Sequence, residues 1–230
     1  MTGRPVWMAA GLVLLLAGCG HRAEQYTLPD EVTDFAVLYA QNCSACHGND
    51  GHGGAARPLN DPLYLTLIGE DRLGGVIAKG VPHTAMPPFL RNAGGTLTAR
   101  QIAILAGQMQ SRWSRSQDFA GVPLPPYSAD LGDPSRGASA FRTYCAICHG
   151  PNGMGGPKGG SVVDPAFLSL VSDQDLRTMV IAGRADQRIP DWRGAAAGRV
   201  MTPQEISDVV AWLSAHREDG GNVARGIDLP

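Results

Sequence analysis

The sequence predicts an all-α protein of two tandem helical domains joined by a proline-rich linker. Three observations carry that expectation. The run Cys43-Ser44-Ala45-Cys46-His47-Gly48 returns as Cys145-Ala146-Ile147-Cys148-His149-Gly150, an offset of 102 residues. Around each copy the apolar residues fall at helical spacing, and the same capping signature opens the last helix of each unit. A chain of 230 residues suits two small units better than one large one, and its 30 Gly and 17 Pro leave long loops between helices.

The first 18 residues read as an export signal rather than as part of the fold. Arg4 supplies a positive start, Val6 to Leu16 is an apolar run too short for a comfortable membrane span, and Leu16-Ala17-Gly18-Cys19 closes it. The tetrad resembles a bacterial lipobox, in which the Cys becomes the lipidated first residue; an ordinary secretory site or an uncleaved anchor are the alternatives. Cysteine counting favours lipidation: of five Cys, four sit in the repeated motif and Cys19 is left over. Losing residues 1–18 removes Arg4 and no acid, so the net charge of −2 becomes −3.

Residues 19–30 form a polar tether. A helix is expected from Glu31 to Asn42, with Val32, Phe35, Val37, Leu38 and Tyr39 on its apolar face, delivering the chain into Cys43. The glycine-rich stretch 48–54 reads as a loop, and His52 as a solvated loop residue. A short helix is expected from about Asp71 to Lys79, ending near Gly80. Val81 to Phe89 is too proline-rich to be helical. Thr98 and Gln101 form a capping box, stapled by Leu97 and Ile102, and open a helix to about Trp113. The first unit thus covers residues 31–114.

Residues 115–132, with Pro123, Pro125 and Pro126, form a stiff linker. The second unit, 133–217, repeats the pattern. Phe141 and Tyr144 lie on the helix leading to Cys145, and Ser172 or Asp173 caps a helix ending at Gly183. Thr202 and Glu205 repeat the capping box, with Pro203 at the first helical position and Met201 in the staple position. Residues 218–230 read as a loose tail.

Cys-x-x-Cys-His is the attachment signature of a c-type haem. Residues three and four apart share one face of a helix turn, so two thiols there can form thioethers to the two haem vinyl groups. The adjoining His47 or His149 then supplies an axial nitrogen to the iron. A zinc site or a redox-active Cys pair are the competing readings of one motif alone; two copies, each ending directly in His within an exported chain, favour two covalently bound haem c groups. Cys43 and Cys46 would hold the first, and Cys145 and Cys148 the second. A composition of 17% charged and 6% aromatic residues suits small units built around a large apolar group.

The sixth ligand separates the units. Met86 sits 39 residues after His47 in the proline-stiffened loop and is the candidate for the first iron, with His83 as a weaker rival. Aligning Ile77-Ala78-Lys79-Gly80 and Met86-Pro87 with Ile181-Ala182-Gly183-Arg184 and Ile189-Pro190 puts Ile189 in the methionine's place, and isoleucine cannot ligate iron. Met201 is then the first internal candidate, although it also fits as the staple that Leu97 supplies in the first unit. Met154, Met179 and His216 are poorer candidates, and an open or water-bound iron or a ligand supplied by a partner are the other outcomes.

These features resemble class I cytochrome c domains, and the whole chain resembles a di-haem c-type cytochrome lipoprotein. The resemblance implies two cytochrome c-like folds, in which a first and a last helix cross over small residues. Ala106 and Gly107, matched by Val210 and Ala211, are the counterparts it suggests. It also implies a Pro carbonyl holding each proximal His, with Pro58 and Pro157 as candidates. The function implied is electron carriage. A quinol-oxidising complex or a dehydrogenase would be donor, an oxidase or soluble cytochrome acceptor, and the membrane would be reached through Cys19. A net charge near zero gives no reason to expect a nucleic-acid partner. The competing function is a ligand-binding or peroxide-reducing second haem; no distal His–Arg pair stands beside either motif. Arg184, Arg188 and Arg193 read as solvated surface charges.

Overall fold

The computed structural model describes residues 27–82, 84–194 and 198–217. The export segment, Cys19, most of the tether, His83 and the tail 218–230 lie outside the described residues. Among those described, the regular structure is helical, with two isolated β-bridges and no sheet. No described helix is long and apolar enough to cross a membrane.

The first unit contains α1 (Phe35–Asn42), α2 (Ser44–His47), α3 (Pro62–Lys79) and α4 (Ala99–Trp113). The second contains α5 (Pro134–Tyr144), α6 (Ala146–His149), α7 (Pro165–Ser169), α8 (Asp173–Ala182) and α9 (Pro203–Ser214). The helix expected from Glu31 begins later. Pro29–Glu31 is a separate 3₁₀ turn, and the Asp34 carboxylate accepts the Val37 amide at 2.9 Å, so the continuous helix begins at Phe35.

The segment expected as a helix from Asp71 is the second half of a longer element. Asp61 caps α3 by accepting the amides of Leu63 and Tyr64, with Pro62 in the first turn. At Gly69 the backbone turns to φ +71°, so two helices meet end to end across a kink. The same Asp-Pro start opens α5 at Asp133 and α7 at Asp164.

Both expected capping boxes form. Thr98 Oγ1 accepts the Gln101 amide at 3.2 Å while Gln101 Oε1 accepts the Thr98 amide at 3.0 Å. Thr202 and Glu205 repeat this at α9, and Ser172, rather than Asp173, caps α8 in a third box with Asp175. Leu97 and Ile102 are both buried, as their stapling role requires. Gln101 is buried as well, because its Nε2 donates to the carbonyls of Pro29 and Val32 and ties the entering chain to α4.

The small-residue crossing differs from the expectation. In the second unit α5 packs on α9, and the close approach is made by Gly137: a Cβ there would stand 2.0 Å from the Asp208 carbonyl oxygen. Val210 and Ala211 are ordinary buried core residues. In the first unit Gly107 faces Glu70 of α3, not α1. Aromatic rings finish each crossing, with Tyr39 edge-on to Trp113 at 5.4 Å and Phe141 against Trp212 at 4.3 Å.

The linker is pinned to the second unit by Arg177 of α8, which is 3% exposed. Its Nε and Nη2 donate to the Pro126 carbonyl at 3.1 and 2.9 Å, and its Nη1 to Ser207 Oγ at 3.0 Å. Tyr127 is buried beside it, its ring under Arg72 of α3, where α3 meets α8. Arg217 is held at the end of the second unit. It pairs with Asp173 and donates to the Val171 carbonyl at 2.8 Å and the Leu168 carbonyl at 3.1 Å.

Candidate functional site

Each Cys-x-x-Cys-His run lies at a helix junction. Cys43 ends α1 and starts α2, a single turn closed by the Cys46 and His47 amides donating to the Cys43 carbonyl. Cys145 ends α5 and starts α6 in the same way. The turn places both thiols and the imidazole on neighbouring positions of one face. Burial, with a smaller contribution from the second thiol, pushes the Cys43 and Cys145 thiols up to about 12. Neutral thiols in such surroundings are poor nucleophiles, unlike redox-active pairs, whose attacking thiol is kept acidic. Among the described residues no three His, Cys, Asp or Glu side chains converge as a metal shell, so neither pair sits in a zinc-type donor set.

The imidazoles are oriented through Nδ1. His47 Nδ1 lies 2.7 Å from the Arg57 carbonyl oxygen, and His149 Nδ1 lies 2.8 Å from that of Gly160. A carbonyl only accepts, so Nδ1 carries the proton and Nε2 is left with its lone pair, as an axial ligand requires. The acceptors are therefore not Pro58 and Pro157. In the first loop Pro58 follows the acceptor directly; in the second, the chain runs three residues past Pro157 before a carbonyl meets the ring. Burial lowers the His47 pKa, opposed by this hydrogen bond, which favours the neutral ligating form.

The loop after each motif closes on glycine. Gly48 has φ +79° and Gly150 φ +75°, and a Cβ at Gly48 would meet the His52 carbonyl oxygen at 1.8 Å. His52 itself is exposed.

The loops that follow α3 and α8 share one backbone hydrogen bond. In the first unit the Val81 amide donates to the Met86 carbonyl at 3.0 Å, and the Thr84 hydroxyl accepts the Met86 amide at 3.1 Å. In the second, the Arg184 amide donates to the Ile189 carbonyl at 3.0 Å. Gly80 (φ +68°) and Gly183 (φ +67°) end the preceding helices, and a Cβ at either would stand 2.6 Å from the Met86 or Ile189 carbonyl oxygen. Gly183, rather than Arg184, is thus the counterpart of Gly80, while Ile189 keeps its place opposite Met86.

Met201 does not enter this loop. Its amide donates to the Trp192 carbonyl as that of Leu97 donates to Phe89, and its side chain is 6% exposed within the core. The structure gives it the staple role. His216 Nδ1 bonds the Trp212 carbonyl at 2.8 Å and its ring stands edge-on to Trp212; Met179 packs on the core, and Met154 is 75% exposed in its loop. Around Ile189 lies an open groove of about 330 Å³ lined also by Ala182, Arg188 and Asp191. Of the three expected surface arginines, Arg184 pairs with Asp186 and its side chain is only 13% exposed, so that charge is largely enclosed.

Arg57 has no signal in the sequence that marks it as a site residue. Its guanidinium lies over the Tyr64 ring at 5.0 Å, and its Nη1 and Nη2 are sealed from solvent without a hydrogen-bond partner among the described residues. Burial lowers its pKa. An orphaned cation beside a His-anchoring carbonyl is what a pocket shaped for a larger anionic group would leave, and in this respect the first site fits a haem.

The family model for cytochrome c oxidase, cbb3-type, subunit III matches residues 30–107 and 132–213. The cbb3-type cytochrome c oxidase subunit FixP of a Bradyrhizobium species is 30% identical over 167 residues, covering 69% of this chain and 53% of its own length. Subunit CcoP of Rubrivivax gelatinosus is 31% identical over 119 residues, covering 51% of this chain and 34% of its own. The chain spans about half the length of the curated relatives it matches. Among solved structures, a chain of the Kuenenia stuttgartiensis reducing HAO-like protein complex is 18% identical, with 84% of this chain and 100% of that one covered and a TM-score of 0.46. With the family model matched on either side of the linker, this chain belongs to the cbb3-type cytochrome c oxidase subunit III family and is a di-haem c-type cytochrome.

Proposed function

We propose that residues 31–114 and 133–217 are two haem-carrying units of an electron carrier. Cys43 and Cys46, and Cys145 and Cys148, are the thioether positions, His47 and His149 the proximal ligands, and Met86 the sixth ligand of the first haem. When bound, the haem iron supplies one-electron redox chemistry. The chain's part is to hold each imidazole in one tautomer, fix the backbone around it and exclude water with buried aromatic and aliphatic side chains. The observation that carries this reading is the pair of Nδ1 hydrogen bonds to backbone carbonyls, His47 to Arg57 ten residues on and His149 to Gly160 eleven residues on.

An oxidase is the acceptor this reading favours, since the relatives matched are named as oxidase subunits; a quinol-oxidising complex or dehydrogenase would be the donor. Lipidation of Cys19 would keep the carrier at a bacterial membrane, facing the periplasm or the cell exterior, and raise its concentration near membrane enzymes. The test is an alkaline pyridine spectrum of the purified chain with a reductive titration. Two covalent haems per chain taking up two electrons is the expected result; fewer than two overturns the assignment. Mass spectrometry of the processed N-terminus checks Cys19: a diacylglycerol adduct is expected, and a free thiol would remove the anchor.

A second reading of the second haem rests on one observation, Ile189 in the seat that Met86 occupies. That haem would lack a methionine ligand and accept a small exogenous molecule. Carbon monoxide added to the reduced protein should then shift half of the haem absorbance; a spectrum that stays unperturbed removes this reading.

A further inference from the structure

We propose that Arg57 is a positioning residue for the first haem, its guanidinium pairing with a haem propionate carboxylate. This rests on the haem reading of Cys43, Cys46 and His47. The Arg57 backbone carbonyl holds the His47 ring at 2.7 Å, so its side chain starts within one residue's length of the proximal ligand. Its Nη1 and Nη2 are buried and unpartnered. A buried guanidinium left without an acceptor is costly, and two parallel N–H donors match a carboxylate.

The carboxylates nearest in charge range are already engaged. Asp61 caps α3 through the Leu63 and Tyr64 amides, and Asp175 of the second unit completes the α8 capping box. Arg184, the neighbouring cation, is paired with Asp186. Tyr64 covers one face of the guanidinium. The pocket therefore lacks one anion that the described chain does not provide, and a haem c tethered at Cys43 and Cys46 brings two carboxylates into the same unit. In the second unit Gly160 holds the equivalent carbonyl and carries no side chain, so the arrangement belongs to one haem only.

A cation paired at the propionate favours the reduced haem, which carries one positive charge fewer. The test is a spectroelectrochemical titration of the full di-haem protein with Arg57→Gln and Arg57→Lys. At the potential where the unmutated first haem is half reduced, its reduced-to-oxidised ratio should fall roughly tenfold in Arg57→Gln and recover in large part in Arg57→Lys, while the second haem is unmoved. Equal potentials in all three proteins, or equal shifts of both haems, overturn the proposal. If Arg57→Gln does not load haem, unmutated protein carrying ¹³C at the haem carboxyls and ¹⁵N at arginine decides by magic-angle spinning NMR. A carboxyl-to-guanidinium contact that disappears in Arg57→Lys supports the pairing, and no contact removes it. A haem count below two in the unmutated chain would instead point to failure of the underlying haem reading.

Discussion

Ile189 holds in the second unit the backbone position that Met86 holds in the first. Each carbonyl accepts an amide at 3.0 Å from the residue just after a positive-φ glycine, Val81 after Gly80 and Arg184 after Gly183. The two loops share this hydrogen bond; they differ in the acceptor of the next amide, Thr84 Oγ1 for Met86 and the Arg184 carbonyl for Ile189, and in the presence of a thioether sulfur. Exchanging the side chains should therefore exchange the coordination. Near-infrared magnetic circular dichroism of the oxidised protein should show one methionine-to-iron band per chain, none in Met86→Ile, and two in Ile189→Met. Met201→Ala should leave the single band in place, because Met201 is packed as a staple; loss of a band in that variant would reassign the ligand.

The glycine after each proximal His is set by backbone geometry. Gly48→Ala would demand a Cβ 1.8 Å from the His52 carbonyl oxygen at φ +79°. We expect a loss of about 2 kcal/mol or more, read as a lower urea midpoint, together with reduced haem incorporation. An unchanged midpoint would show that the 48–54 loop rearranges freely.

Asp208 of α9 gives the second unit an acid-sensitive tie. Its side chain is 4% exposed and accepts Arg136 Nε at 2.8 Å, the Asp133 amide at 2.7 Å and Gln204 Nε2 at 2.9 Å. The Arg136 guanidinium, ahead of the other donors, holds its carboxyl at about 2, below the ordinary 3.8. A depressed carboxyl stabilises the fold above its unfolded pKa and stops doing so as pH falls through the folded one. The stability gap between the unmutated chain and Asp208→Asn should be about 1–2 kcal/mol at neutral pH, discounted for the 61% exposed Arg136 side chain, and should close between about pH 4 and pH 2. Chemical denaturation across that range measures it.

Arg177 holds the linker. Replacing it with Met leaves the Pro126 carbonyl and Ser207 hydroxyl without their donors, at a cost of about 3 kcal/mol in the second unit. The segment around Pro123 to Tyr127 should become the first site of limited proteolysis. Unchanged cleavage and an unchanged melting profile would show that the prolines alone keep the linker in place.

Much of this protein is legible along the chain because the signals are local. The Cys-x-x-Cys-His runs, the capping boxes at Thr98 and Thr202 and the loss of methionine at Ile189 each depend on residues a few positions apart, and helical geometry carries them directly into space. The first half of α3 is also local, through Asp61-Pro62, but its apolar run hides the break at Gly69, where only backbone conformation separates the two helices. The register of Gly183 likewise needed the hydrogen bond from the Arg184 amide to the Ile189 carbonyl.

By itself, then, the sequence determined the helical class, the duplication and the chemical identity of the donors in each motif. Tertiary structure decided which carbonyl meets each imidazole, Arg57 and Gly160 rather than the neighbouring prolines, because a loop's end-point depends on how its glycines turn. It also decided that Gly137 makes the α5–α9 approach, that Met201 is core, and that Arg57 is sealed inside. Burial and unpaired charge arise from segments that are distant along the chain and adjacent only once packed, so no local pattern encodes them.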